Sequence, residues 1–266
     1  MSQRLNQLKG KFESNGIDYK KIGFHLDDAF LLAEQKGIIT LEDYAEFLII
    51  QSYSDEYFEY AKEKVKKISE YIANLVIEEN KYGQCVEITI SLTNLLDELA
   101  IWNFGVKGSL TISSEDEKFE PQHFYDLTPN NNVSAPHAWI YVPTVGIIDL
   151  TLQKQFYTSK KVSSYLPKYN IIKESDFSYI RANKDDIIDP VVQVHPRYKV
   201  YGQLKLQEVR QFNKKFKAIN LVSNNVSFRY IPIGIALPDA GFDENSNKRK
   251  INGKTLKIIY DEVKEL

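Results

Sequence analysis

Apolar residues fall at helical spacing along two adjoining stretches of the chain. Between residues 55 and 79, Tyr57, Ala61, Val65, Ile68, Ile72 and Leu75 recur at three- and four-residue steps. Glu59, Glu63, Lys66 and Glu70 fall on the opposite face, so the stretch predicts one long amphipathic helix. "KYG" ends it, because Gly83 can adopt a loop conformation that other residues avoid. From Cys85 onward Val86, Ile90, Leu92, Leu95, Leu96 and Leu99 predict a second helix, buried over most of its girth. Asn94, Asp97 and Glu98 mark its wetter side, and Asn103 and Gly105 end it.

The flanking patterns are shorter. Residues 1 to 50 read as short helical pieces broken at Gly16, Gly23 and Gly37, with Thr40 as the N-cap of "TLEDYAEFLIIQ". "VKGSLTIS" reads as a strand, and the polar residues 114 to 135, with Pro121 and Pro129, as a long loop. "HAWIYV" and "GIIDLT" alternate as two strands of a hairpin joined at "PTV". Residues 155 to 185 mix short helical and loop signals. The Val, Ile, Tyr and Phe content of residues 187 to 236, as in "VVQVHPRYKVYG" and "NVSFRYIPIGIAL", predicts strands. "DENSNKRKINGK" reads as an exposed, turn-rich loop and "LKIIYDEV" as a final strand. The expected organisation is a helical N-terminal region plus core over residues 1–158 and a β-rich region over 159–266 that covers a cleft or recognises substrate.

Composition narrows the partners. With 266 residues, 43% of them hydrophobic, the chain can form one large domain or two small ones. A formal charge of −2 lacks the basic excess of a nucleic-acid-binding domain, so no nucleic-acid partner is expected. The lysine run at Lys64, Lys66 and Lys67 fits a solvated helix face. No segment has the roughly 18 to 20 apolar residues needed to cross a bilayer. The polar start "MSQRLNQLKGKFESNG" has no apolar signal-like run. The expectation is a cytoplasmic protein without a membrane span, although a secretion route that uses no cleaved signal would leave the same sequence.

Cys85 is the only cysteine, which excludes an intrachain disulfide framework and a thiolate-rich zinc site. No metal and no cofactor is called for. Its position, after a glycine-containing loop and at the head of an apolar helix, suits a nucleophile. Unpaired N–H groups and the helix dipole favour negative charge there, and the Cys85 N–H could donate to an oxyanion. Such a thiol needs a base and a group to orient that base. His137 opens "HAWIYV", and Asp149 lies in "GIIDLT". If Trp139 lies opposite Asp149, His137 and Asp149 share a sheet face as diagonal neighbours, and that pairing requires an odd loop or bulge around Pro143, Thr144 and Val145. A two-residue turn would place Asp149 opposite Ile140, on the wrong face. Gln84 is a candidate second oxyanion donor, and Trp139 could shield the His–Asp pair from water.

"YGQC" ahead of a helix, then "HAW", then "DLT", in this order and at steps of 52 and 12 residues, resembles the transglutaminase-like superfamily. The resemblance covers residues 55 to 155. It implies an α+β, papain-like fold with the cysteine-bearing helix packed on an antiparallel sheet. It also implies a catalytic set of Cys85 as nucleophile, His137 as general base and acid, and Asp149 as orienting carboxylate. Val86 stands where animal transglutaminases carry an aromatic residue, and both tryptophans, Trp102 and Trp139, lie downstream of Cys85.

The activity expected is cysteine acyl transfer through a thioester, on a protein or peptide substrate with an amide carbonyl: a peptidase, amidase or glutamine deamidase. Alternatives are an arylamine N-acetyltransferase-like enzyme, whose Arg-Gly-Gly-Cys pattern "KYGQC" does not match, and a non-catalytic binding module. His123, with Asp126 nearby, is a rival base in an apparent loop. His25 and His195 have no partner pattern, and Glu87 reads as a charge suited to the first turn of a helix. The 17 tyrosines could line a peptide groove, but filling a core is the favoured reading.

Overall fold

The computed structural model describes residues 3–129 and 136–266, with backbone alone at 197–199. The first helices are α1 (Gln3–Glu13), α2 (Asp28–Gln35), α3 (Leu41–Ile50), α4 (Asp55–Glu78) and α5 (Cys85–Glu98). Strands β1 (Phe104–Ser114), β2 (Gln122–Phe124), β3 (His137–Val142), β4 (Gly146–Asp149), β5 (Asn170–Ile172) and β6 (Ser178–Tyr179) follow. Helices α6 (Lys184–Ile187), α7 (Pro190–Gln193) and α8 (Pro196–Phe212) precede β7 (Ile219–Ser223) and β8 (Val226–Ile235). The chain continues through α9 (Phe242–Asn245), β9 (Lys250–Ile251), β10 (Lys254–Thr255) and α10 (Leu256–Val263). The class is α+β, and among the described residues no helix is long and apolar enough to cross a membrane.

One antiparallel sheet organises the molecule, in the order β5-β4-β3-β1-β8-β7-β6 with β2 added to β1. It takes strands from both sides of residue 158. β8, from far down the chain, pairs with β1 over nearly its full length. Residues of β5, β6 and β7 line one common cleft, so the sheet curls until its two edges approach. Both faces are covered. Phe104, Val106, Trp139, Ile147, Phe228 and Tyr230 share one core with α1 to α3, where Phe12, Phe24 and Phe47 meet edge to face. Ile140, Val142 and Ile148, on the alternate face, pack against Ile88, Leu92, Leu95 and Leu96 of α5 and against α4 and α10. The cysteine-bearing helix therefore lies directly on the sheet.

The N-terminal pieces end where the sequence says they should, with Gly16, Gly23 and Gly37 all at positive φ. Thr40 and Asp43 form a reciprocal capping box at the start of α3, an arrangement worth about 1 kcal/mol. The expected loop over residues 114–135 contains β2, which pairs Phe124 with Leu110; residues 130–135 of that loop lie outside the described residues.

Two expected strand regions are helical. "VVQVHPRYKVYG" begins α7 and α8. Asp189 caps α7 ahead of Pro190 at its first turn, and Pro196 opens α8 with a φ already fixed for a helix. Leu206 and Val209 of α8 then turn inward onto Ile187, Ile188 and Ile231. "LKIIYDEV" is α10, capped by Thr255, which accepts from the Ile258 N–H, and burying Leu256, Ile259 and Val263 at helical steps. In α8, tertiary burial of one helical stripe outweighs the β preference of branched and aromatic residues, whereas in α10 the cap and the helical steps are local signals. "DENSNKRKINGK" is not wholly loop either: it ends α9 and turns through β9 and β10 at Asn252 and Gly253, both at positive φ.

Candidate active site

The β3–β4 hairpin has the register that the chemistry requires. Val142 pairs with Gly146, Tyr141 with Ile147 and Ile140 with Ile148. Three residues, Pro143 to Val145, make the turn, and the same register carried one residue further sets Trp139 opposite Asp149. Gly146 is needed at the turn exit. Its φ is +116°, and a Cβ there would stand 1.9 Å from the Ile172 carbonyl oxygen of β5.

This register brings His137 and Asp149 onto one face, where imidazole Nε2 lies 2.6 Å from Asp149 Oδ2. Neither side chain is exposed to solvent. The carboxylate is fully engaged. Tyr230 of β8 donates its hydroxyl to Oδ2 at 3.1 Å, and Thr151 donates its N–H and its hydroxyl to Oδ1 at 3.1 and 3.2 Å. Four donors on one buried carboxylate leave no lone pair begging and lock its plane.

An aromatic wall closes the pair off. Trp139 stands 6.1 Å from the His137 ring and 5.1 Å, edge on, from Tyr230; Phe124 stands 5.7 Å from His137 on the other side. Tyr157 packs edge to face against Phe124. Trp139 thus sits where a shield for the His–Asp bond is needed.

Cys85 is the first residue of α5 and is 5% exposed. Gly83 makes the preceding turn at φ +71°, and its N–H bonds the Lys154 carbonyl at 2.8 Å. A Cβ at Gly83 would press into the Phe156 ring at 2.5 Å. The cysteine loop is thereby pinned to the segment that leaves Asp149 and Thr151, so one hydrogen bond ties the position of Cys85 to that of the carboxylate. Tyr82 and Phe156, the latter 76% exposed, meet with tilted rings at 6.0 Å beside this loop.

Cys85 and His137 meet at the imidazole. Nε2 is occupied by Asp149, which leaves Nδ1 for the sulfur. Nδ1 has no well-directed hydrogen bond, yet the sulfur is close enough to act on the ring by hydrogen bonding and charge. Burial alone would lower the proton affinity of His137; the charge and hydrogen bond of Asp149, joined by Cys85, outweigh it and raise the pKa to about 10.

The other sequence candidates separate clearly. Gln84 occupies the N-cap of α5, half-buried, and its side chain makes no capping hydrogen bond. His123 lies on β2 rather than in a loop. It pairs with Thr111 at 3.1 Å and stacks on Tyr125, on the strand face opposite to Phe124 and so away from the His137 ring. Asp126 binds Lys205. Glu87 is held by Arg249 at 2.6 Å, from the stretch read as an exposed loop. His25 is buried against Tyr44 with both ring nitrogens unpartnered, and burial lowers its pKa to about 3. Among the described residues no three His, Cys, Asp or Glu side chains gather as a metal-binding set. Sequence reasoning missed Tyr230, which lies 81 residues from Asp149, and Thr151, which the "DLT" motif contains. No known family, curated protein or solved structure matches the chain.

Proposed function

We propose that the chain is a papain-like, transglutaminase-like cysteine acyl-transfer enzyme acting on amide carbonyls of a protein or peptide. The observation that carries this reading is the buried 2.6 Å His137–Asp149 bond, with the start of the cysteine helix at the remaining edge of the same imidazole. The set of nucleophile, base and orienter is complete and requires no cofactor.

In the first half-reaction the Cys85 sulfur attacks the carbonyl carbon, and the Cys85 N–H, free at the helix start, donates to the developing oxyanion. Imidazolium His137 gives its Nδ1 proton to the departing amine as the C–N bond breaks, leaving a thioester. In the second, neutral His137 takes a proton from water, whose oxygen attacks the thioester, and the sulfur departs to its starting state. Asp149 keeps the ring oriented throughout and balances its charge; Tyr230 and Thr151 keep Asp149 in place. Hydrolysis is the favoured outcome, since among the described residues no feature marks a tunnel for an acceptor amine.

The test is the rate of Cys85 alkylation by iodoacetamide at pH 6, with Cys85→Ala and His137→Ala as controls, followed by mass spectrometry of peptide substrates for cleavage or glutamine deamidation. Labelling much faster than a free cysteine, falling about 100-fold or more in His137→Ala, is expected. Labelling no faster than free cysteine and indifferent to His137 overturns the enzyme reading and leaves a binding module.

A further inference from the structure

Away from the candidate active site, one cleft gathers positive charge without any acid. It is formed where the residues after β6 meet the C-terminal end of α8, and it measures about 550 Å³. Arg181, Arg210, Lys214 and Lys217 line it, with Tyr179 at the rim, and no Asp or Glu is among the lining residues. None of the four cations forms a salt bridge with a described residue. Nearby charges behave otherwise: Lys215 is paired with Glu46 and Arg229 with Asp186, each at 2.9 Å. The chain as a whole is slightly acidic, so a four-cation cleft is a local choice rather than a reflection of composition.

The donors are arranged for an oxyanion. Arg210 is half-buried and spends its Nε proton on the Ala182 carbonyl at 2.9 Å, which fixes the plane of the guanidinium and leaves its terminal nitrogens for a ligand. Arg181, Lys214 and Lys217 are exposed and add charge around it. Like charges crowded together repel one another, and an anion of matching charge relieves that repulsion. One carboxylate would leave most of it unrelieved. The floor between the cations is apolar, through Ile180 and Ala182, and the Tyr179 ring is 63% exposed beside it. A cleft of this size is within the range of small-ligand sites.

We propose that this cleft binds a soluble, nucleotide-sized phosphate ester, its phosphates among Arg181, Arg210, Lys214 and Lys217 and its ring or apolar part against Tyr179. The site is independent of Cys85 and of the acyl-transfer reading.

Isothermal titration of the full chain with ATP and with inorganic pyrophosphate, at low and at physiological salt, tests it. ATP is expected to bind, with an affinity that weakens as salt rises. The double variant Lys214→Glu/Lys217→Glu loses about 30-fold or more of that affinity, by reversing two of the four charges. Arg181→Gln, a milder change, loses about 5-fold. ATP binds about 10-fold tighter than pyrophosphate, and Tyr179→Ala removes the difference. Unchanged thermal melting of each variant shows that the cleft, not the fold, was altered. Absence of ATP binding at millimolar concentration, binding that survives the double charge reversal, or a mixed-sequence single-stranded oligonucleotide bound far more tightly than ATP overturns the proposal.

Discussion

Replacing Asp149 by Asn isolates the charge that orients the imidazole. The substitution keeps the shape of the side chain and an oxygen acceptor but removes the anion that holds His137 protonated. In the folded protein the charge and hydrogen bond of Asp149 outweigh burial and hold His137 at about 10, against an ordinary imidazole value of 6.5. At about 1.4 kcal/mol for each pH unit, that rise stabilises the fold by about 4 to 5 kcal/mol. Because the pKa is raised on folding, this stability is fully present below pH 6.5 and is lost as pH climbs through 10. In Asp149→Asn the burial remains while the larger raising charge is gone and only the smaller influence of Cys85 is left, so the proton affinity of His137 falls and the neutral ring gains at pH 7. The amide also faces Tyr230 and Thr151, two residues that now donate to a carboxylate; that cost does not depend on pH. The measurement is therefore a difference of differences. Urea unfolding of both proteins at pH 6 and pH 9.5 should show a stability gap about 3 to 4 kcal/mol smaller at the higher pH. Carbon NMR of the His137 Cε1 should show no titration below pH 9 in the parent protein and a gain of the neutral ring in the variant. An equal gap at both pH values would refute the reasoning: Asp149 would then act only as a neutral acceptor.

Two further substitutions examine the supports of the site. Tyr230→Phe removes one donor from the carboxylate without opening a cavity, and should cost about 1.5 to 3 kcal/mol in urea unfolding, the range for a hydrogen bond to a charged group. Cys85 alkylation in that variant should lose part of its rate and change its pH profile; a melt and a profile both identical to the parent would show that the hydroxyl does not act on Asp149. Gly146→Ala meets both a forbidden φ and the Ile172 carbonyl, and should destabilise by about 3 kcal/mol or more, with early hydrogen exchange in β4 and β5 as the local signature.

What the sequence reveals, and what it conceals, follows from the range over which each signal acts. The helix over Asp55–Glu78 and the helix start at Cys85 are legible because caps, glycines and a 3.6-residue stripe lie within a few turns of each other. The odd turn at Pro143 to Val145 can be deduced because strand alternation is strict and the chemistry demands a common face. The "VVQVHPRYKVYG" region misleads because its residue types suit strands, while the positions that decide, Leu206 and Val209, are inward-facing only once β8 exists beneath them. In "LKIIYDEV" the local signals favour a helix: Thr255 before it and Leu256, Ile259 and Val263 at helical steps. Tyr230 was out of reach for another reason. Its role depends on β8 lying next to β1, and no local pattern specifies which strand neighbours which.

The placement of β8 also orders events in time. A ribosome releases Cys85, His137 and Asp149 well before Val226–Ile235, so for that interval β1 has no partner on its second side. An open strand edge invites pairing with other chains, and closing a sheet across so many residues is slow. During the wait, Asp149 lacks the Tyr230 hydroxyl, and the imidazole lacks the wall that Tyr230 and Trp139 build together. A translating chain therefore lacks the fully held His137–Asp149 pair, and that arrangement appears only when the last third of the polypeptide has been threaded into the sheet.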